Sequence, residues 1–141
     1  MQFAGLNFVA ILAAAVASFM FGGVWYGVLS KPWMAAAGLS EEAVSASHKR
    51  GGTTYLMALA FVAQLIMAVV LAGLIGPLGP EQVTLRNGLI SGLFVWAGFV
   101  LTAITVNHSF QMRLGLLTLI DGGHWLGVLL IQGAVIGLLG I

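Results

Sequence analysis

Four long apolar runs separated by short polar segments organise this chain, at approximately Phe3–Leu29, Thr54–Ile75, Asn87–Val106 and Leu114–Leu139. Crossing a hydrocarbon core of about 30 Å takes roughly 20 apolar residues at about 1.5 Å each. Every run meets that length. In lipid the backbone has to satisfy its own hydrogen bonds, so uniformly apolar runs of this length read as helices. The expected fold is all-α: an integral membrane four-helix bundle forming a single domain over residues 1–141.

The connections differ in character. Ser30–Thr53 is long enough for structure of its own and opens with Lys31-Pro32-Trp33-Met34, where Pro32 is expected to stop the first helix and Trp33 to sit among headgroups. Ser40 is a good N-cap for Glu41 and Glu42, while His48, Lys49 and Arg50 fall where a helix C-terminus favours positive charge. A short interfacial helix from about Glu41 to Lys49 follows. Gly76–Arg86 carries Pro77 and Pro80 and reads as a turn. Asn107–Arg113 is tight, so the last two spans form an antiparallel hairpin.

Composition agrees with the pattern and excludes several classes. Of 141 residues, 60% are hydrophobic and 6% charged, too few charges to cover a soluble domain of this size. A net charge of +1 without a basic run lacks the footprint of a nucleic-acid binder. Cysteine is absent, which removes disulfides, thiolate metal sites and thiol nucleophiles. The first run is expected to be retained rather than cleaved as a signal peptide, because only Met1 and Gln2 precede Phe3 where a basic stretch would stand.

Charge placement sets an expected orientation. The first and third connections hold Lys31, Lys49, Arg50 and Arg113, against Arg86 alone on the other side. The positive-inside rule then puts those two connections in the cytoplasm and both termini outside. Gly23–Gly27, Gly88–Gly92, Gly123–Gly127 and Gly133–Gly137 have the spacing that lets helices approach closely, although 20 glycines produce about three such pairs by chance. Self-association into a homo-oligomer is expected from the small interior that four short spans enclose. Trp25 and Trp96 stand beside small residues at parallel places in the first and third spans, which is compatible with a two-hairpin duplication.

Asp121 is the one formal charge inside a span, with the seven uncharged residues Leu114–Ile120 between it and Arg113. Such a carboxylate faces a bundle interior or a water-filled cavity. His124 follows at i+3 on the same helical face. Counting depth from the same end nominates Trp25, Tyr26, Gln64, Thr102 and Thr105 as neighbours, with Asn107 and His108 at the mouth; the other half offers only Asn7, Asn87 and Ser91. This points to an inward-facing pocket for a small solute or a proton, with Asp121 cycling protonation and His124 relaying. Three alternatives stay open. Asp121 and His124 can bond each other and a neighbouring Thr or Gln as a purely structural network in a partner-binding subunit. A metal or haem enzyme is a second, although His108 lies over about 10 Å from the depth of His124. A membrane hydrolase or transferase is the third, without a nucleophile motif or a second intramembrane carboxylate. No resident cofactor is expected.

Several segments carry a family resemblance: Gly23-Val24-Trp25-Tyr26, then Lys31–Met34, Gly38-Leu39-Ser40-Glu41-Glu42, Gly92-Leu93 with Trp96 and Gly98-Phe99, and Leu119-Ile120-Asp121-Gly122-Gly123-His124. In this order they resemble the bacterial inner-membrane family catalogued as domain of unknown function 1761, over essentially the whole chain. The resemblance implies a small four-helix integral membrane protein that keeps its first span. It implies no function, and it touches Trp25, Tyr26, Lys31, Asp121 and His124 without assigning a role to any of them.

Overall fold

The computed structural model describes residues 5–113 and 115–141. Its elements are α1 (Phe8–Ala37), α2 (Glu41–Lys49), α3 (Gly52–Ile75), α4 (Leu85–Val95), a π-helical turn (Trp96–Val100), α5 (Leu101–Phe110) and α6 (Leu116–Leu139). The turn joins α4 and α5 into one rod, so among the described residues four helices are long and apolar enough to cross a membrane: α1, α3 with its 3-10 extension, Leu85–Phe110 and α6. Each expected span overlaps one of these helices, α1 beginning at Phe8 and running on to Ala37, and positions 3, 4 and 114 lie outside the described residues.

One expectation is overturned. Pro32 does not end the first helix but lies inside α1, which runs on to Gly38. Thirty residues make about 45 Å of helix, well beyond a hydrocarbon core of about 30 Å. Counted from Asn7, the Val28 carbonyl that loses its helical donor to Pro32 stands about 30 Å along the helix, at the limit of a hydrocarbon core. The helix stops instead at Gly38, whose left-handed φ of 71° closes the end with bonds from Gly38 N to Ala35 O (3.2 Å) and Leu39 N to Met34 O (2.9 Å). Arg113 adds a tie, its guanidinium lying over Gly38 and donating to Ala36 O at 3.5 Å.

At the opposite end Asn7 caps α1 by accepting from the Val9 and Ala10 amides, and its own amide donates to Leu139 O at 3.3 Å. The two ends of the molecule are therefore distinct. The terminal end holds Asn7, the 76–84 turn and the end of α6, while the loop end holds α2 and the α5–α6 turn. Helix α2 occupies Glu41–Lys49, capped by the Ser40 hydroxyl as its sequence indicates.

Helix α6 is central, packing against α1 on one side and α4 on the other, with α3 lying mainly on α1. Glycines explain how closely. A Cβ at Gly88 would collide with the Gly133 carbonyl, one at Gly133 with that of Gly88, and one at Gly137 with Thr84. Backbone therefore touches backbone along the α4–α6 crossing. On its α1 side Gly123 and Gly127 receive the rings of Trp25 and Phe21. Of the four glycine pairs, only Gly23–Gly27 has nothing within 4 Å. The apolar core, Ile11, Ala14, Ala15, Ala68, Leu71, Ala72, Ile75, Leu129 and Ile136, fills the terminal half.

Candidate functional site

The site is built where α1, α5 and α6 meet. Asp121 sits five residues into α6, about 8 Å from its start. Its side chain is 19% exposed, and both oxygens have partners. Oδ1 accepts from the Tyr26 hydroxyl at 2.7 Å and from the Trp33 indole at 3.0 Å, and Oδ2 lies 3.5 Å from His108 Nε2. The other nitrogen of His108 is 2.9 Å from the Thr118 hydroxyl.

The continuation of α1 through Pro32 makes this possible. Tyr26 and Trp33 are seven residues apart, which is two helical turns, so both project from one face of α1 and their rings meet edge to face with centroids 5.8 Å apart. A helix ending at Pro32 would leave Trp33 free to point elsewhere. For that reason the sequence placed it among headgroups rather than at the carboxylate.

Two further tryptophans brace the same stretch of α6. Trp25 Nε1 donates to Ile120 O at 3.0 Å and Trp96 Nε1 to Gly122 O at 2.8 Å, so indole N–H groups from α1 and from the π turn grip the carbonyls on either side of Asp121. These carbonyls already lie within α6, and the added donors hold its rotation about its own axis. Trp25 and Trp96, noted in the sequence for their parallel settings, thus do parallel jobs.

The expected bond between Asp121 and His124 is not formed. An aspartate side chain is short and leans toward its helix N-terminus, where the donors of α1 and α5 take both oxygens. His124, 4% exposed, lies instead in an aromatic cage. Its ring centroid is 4.7 Å from those of Tyr26 and Trp125 and 6.3 Å from that of Phe21, and its edge rests on Gly22, where any Cβ would press on Nε2. His124 Nδ1 is buried without a hydrogen-bond partner.

The other nominated residues separate. Thr102 is exposed, and its hydroxyl donates to Gly98 O (2.9 Å) and Phe99 O (3.1 Å), covering carbonyls of the widened π turn. Thr105 donates to Leu101 O at 2.6 Å within its own helix. Asn107 is exposed near the end of α5. None of the three touches Asp121. For Thr102 and Thr105 the i−3 and i−4 carbonyls of their own helix take the hydroxyl proton.

Gln64 belongs to a second polar centre deeper in the bundle. Gln132 Nε2 donates to Ser18 Oγ at 3.0 Å and to Gln64 O at 2.9 Å, and Ser18 Oγ donates to Gln64 Oε1 at 2.8 Å. All three residues are fully buried, joining α1, α3 and α6. Gln132 Oε1 has no partner. The expectation that the terminal half holds only Asn7, Asn87 and Ser91 is corrected here: Gln132 lies in that half of α6 and meets Ser18 of α1. Trp33, Trp96 and Thr118 were also missed as site residues. The i+7 spacing of Tyr26 and Trp33 was the available signal.

Among the described residues no group of three His, Cys, Asp or Glu is close enough to hold a metal ion. No curated protein and no solved structure matches the chain. The family model described as Protein of unknown function (DUF1761) matches residues 9–137, nearly the whole chain, and on that match the protein belongs to this family.

Proposed function

We propose that this chain is a multi-pass, non-enzymatic protein of the bacterial inner membrane that binds or moves a small solute or a proton through the Asp121 site. Lys31, Lys49, Arg50 and Arg113 at the loop end, against Arg86 at the other, support a site facing the cytoplasm with both termini outside. Helix α2 then lies at the cytoplasmic surface, where Lys49 and Arg50 face anionic headgroups. The protein assembles with copies of itself in the bilayer.

The observation that carries the reading is a partly exposed carboxylate within a span, toward which two other helices turn a phenol, an indole and an imidazole, Tyr26, Trp33 and His108. The test is native mass spectrometry of protein released in mild detergent, paired with proton flux in liposomes. Wild-type protein is expected to show a stoichiometric bound species or a flux above that of empty liposomes, and Asp121→Asn to lose it. Neither signal in the wild type, or equal signals in both proteins, would refute the reading.

A second reading draws on the same geometry. Both oxygens of Asp121 are already satisfied, as in a buried network that fixes helix packing. Under it, Asp121→Asn lowers thermal stability or shifts the oligomer while no ligand or flux is found.

A further inference from the structure

We infer that the Asp121 site takes a lipophilic organic cation, a substituted ammonium whose head pairs with the carboxylate while its apolar tail follows α6 into the cavity between α3 and α4. This rests on the reading of Asp121 as a binding site and names the class of solute it takes.

The head group follows from charge. An ionised carboxylate inside a span needs a counter-charge or water. Among the described residues no Lys or Arg stands within 4 Å of Asp121, and Arg113 donates to Ala36 O instead. The one basic group in contact is His108, whose Nε2 at 3.5 Å lies well beyond the roughly 2.7–2.9 Å of a charge-assisted pair. Oδ1 already takes two donors, whereas Oδ2 has that long contact alone and keeps room to accept. The side chain is 19% exposed, so a ligand can reach it.

The surroundings choose among cations. A metal ion would ask for further oxygen or nitrogen ligands, and the described residues gather no group of three His, Asp or Glu. Rings stand there instead. Tyr26 and Trp33 meet edge to face beside the carboxylate, and the half-buried Trp125 follows one turn further along α6. A carboxylate among aromatic faces is the chemistry that holds alkylammonium ions.

The tail follows from the cavity. Asp121, Trp125 and Leu129 succeed one another at four-residue spacing, so they form one stripe along α6. At Leu129 the stripe meets a cavity of about 140 Å³ lined only by apolar residues, among them Met67, Val70, Leu71 and Leu74 from α3 and Val95 from α4. Eight residues of helix put Leu129 about 12 Å from Asp121, roughly the reach of an extended octyl chain with its head group. Val70 and Leu74 are exposed at the rim, so the cavity is entered from the side of the bundle.

A phospholipid fits this arrangement poorly. Its ammonium is joined to a phosphate, which would come against the carboxylate with no Lys or Arg in contact to offset it. The occupant is therefore a free amine or ammonium.

The test uses the full-length protein in phosphatidylglycerol nanodiscs and measures equilibrium binding of octyltrimethylammonium, tetramethylammonium and octyl sulfate. Octyltrimethylammonium is expected to bind once per chain above the level of empty nanodiscs, octyl sulfate to show no such binding, and tetramethylammonium to bind about tenfold more weakly or worse. Asp121→Asn is expected to weaken the octyl cation by about tenfold or more. Because that variant can misfold, Val70→Trp at the exposed rim supplies a second check: it should weaken octyltrimethylammonium and leave tetramethylammonium unchanged. Octyl sulfate binding as well as the cation, or tetramethylammonium as tightly as its octyl relative, would overturn the inference. So would cation binding that survives in folded Asp121→Asn. Displacement of the probe by added phosphatidylethanolamine would make a lipid headgroup the occupant and overturn the free cation. A wild-type protein that binds no cation yet shows an Asp121-dependent bound species or proton flux would overturn the inference and spare the reading beneath it. Absence of all three signals would overturn both.

Discussion

Trp33 shows how one residue acquires a role that its neighbours conceal. Its indole N–H donates to Asp121 while its ring rests on Tyr26, so donor and packing surface can be separated by substitution. Trp33→Phe keeps most of the ring and removes the donor, and is expected to destabilise by about 1 kcal/mol, a typical net value for one such bond. In an Asp121→Asn background the same change should cost measurably less, because the shared charge is gone. Denaturant unfolding of the four proteins in micelles checks this, and strict additivity would show that the indole and the carboxylate do not interact. Asp121 itself was legible from composition alone, as the one charge within an apolar run. Its partners were legible only in part. Tyr26 and His108 were nominated by depth, but depth says nothing of rotation about a helix axis, so Thr102 and Thr105 at matching depths turn out to serve their own backbone.

At the level of the element, the glycine pairs that looked alike in sequence divide by what they touch. Gly88 and Gly133 meet across the α4–α6 crossing, while Gly23 and Gly27 face open space. Gly88→Ala and Gly133→Ala should each cost about 1–3 kcal/mol, the usual penalty for overpacking a closed contact. Gly23→Ala and Gly27→Ala should stay within about 0.5 kcal/mol of wild type. Unfolding in detergent separates the two groups, and equal costs in all four would contradict the crossing. The π turn at Trp96–Val100 is a second element that periodicity does not reveal, since a single widened turn hardly disturbs an apolar run. It places the Trp96 indole on Gly122 O, beside Asp121. The continuation of α1 past Pro32 is a third: proline is a strong local stop signal, yet it removes only one hydrogen bond, and the bonds at Gly38 together with the Arg113 contact hold the end of the helix together.

For the molecule as a whole, the proposed orientation makes a clear demand on the two ends. A cysteine-free chain takes single reporter cysteines without background. Ser45→Cys in α2 and Gln82→Cys in the 76–84 turn are both exposed and stand at opposite ends of the bundle. In intact cells a membrane-impermeant maleimide should label Gln82→Cys directly and Ser45→Cys only after permeabilisation. The reverse pattern would turn the protein over and place the Asp121 mouth outside.

The sequence by itself determined the number of apolar helices, their approximate limits, the short α2 with its Ser40 cap, and the one buried charge. Each of these is local: a stretch of some 20 apolar residues has to bond its own backbone in lipid wherever its neighbours lie, and a capping side chain acts within three residues of itself. Tertiary structure alone decided which donors surround Asp121, that His124 stands apart from it with an empty nitrogen, and that Ser18, Gln64 and Gln132 form a centre of their own. Those outcomes depend on the rotation and crossing of helices far apart in the chain. Glycine contacts and indole hydrogen bonds set that geometry, and hydrophobic periodicity carries no record of either.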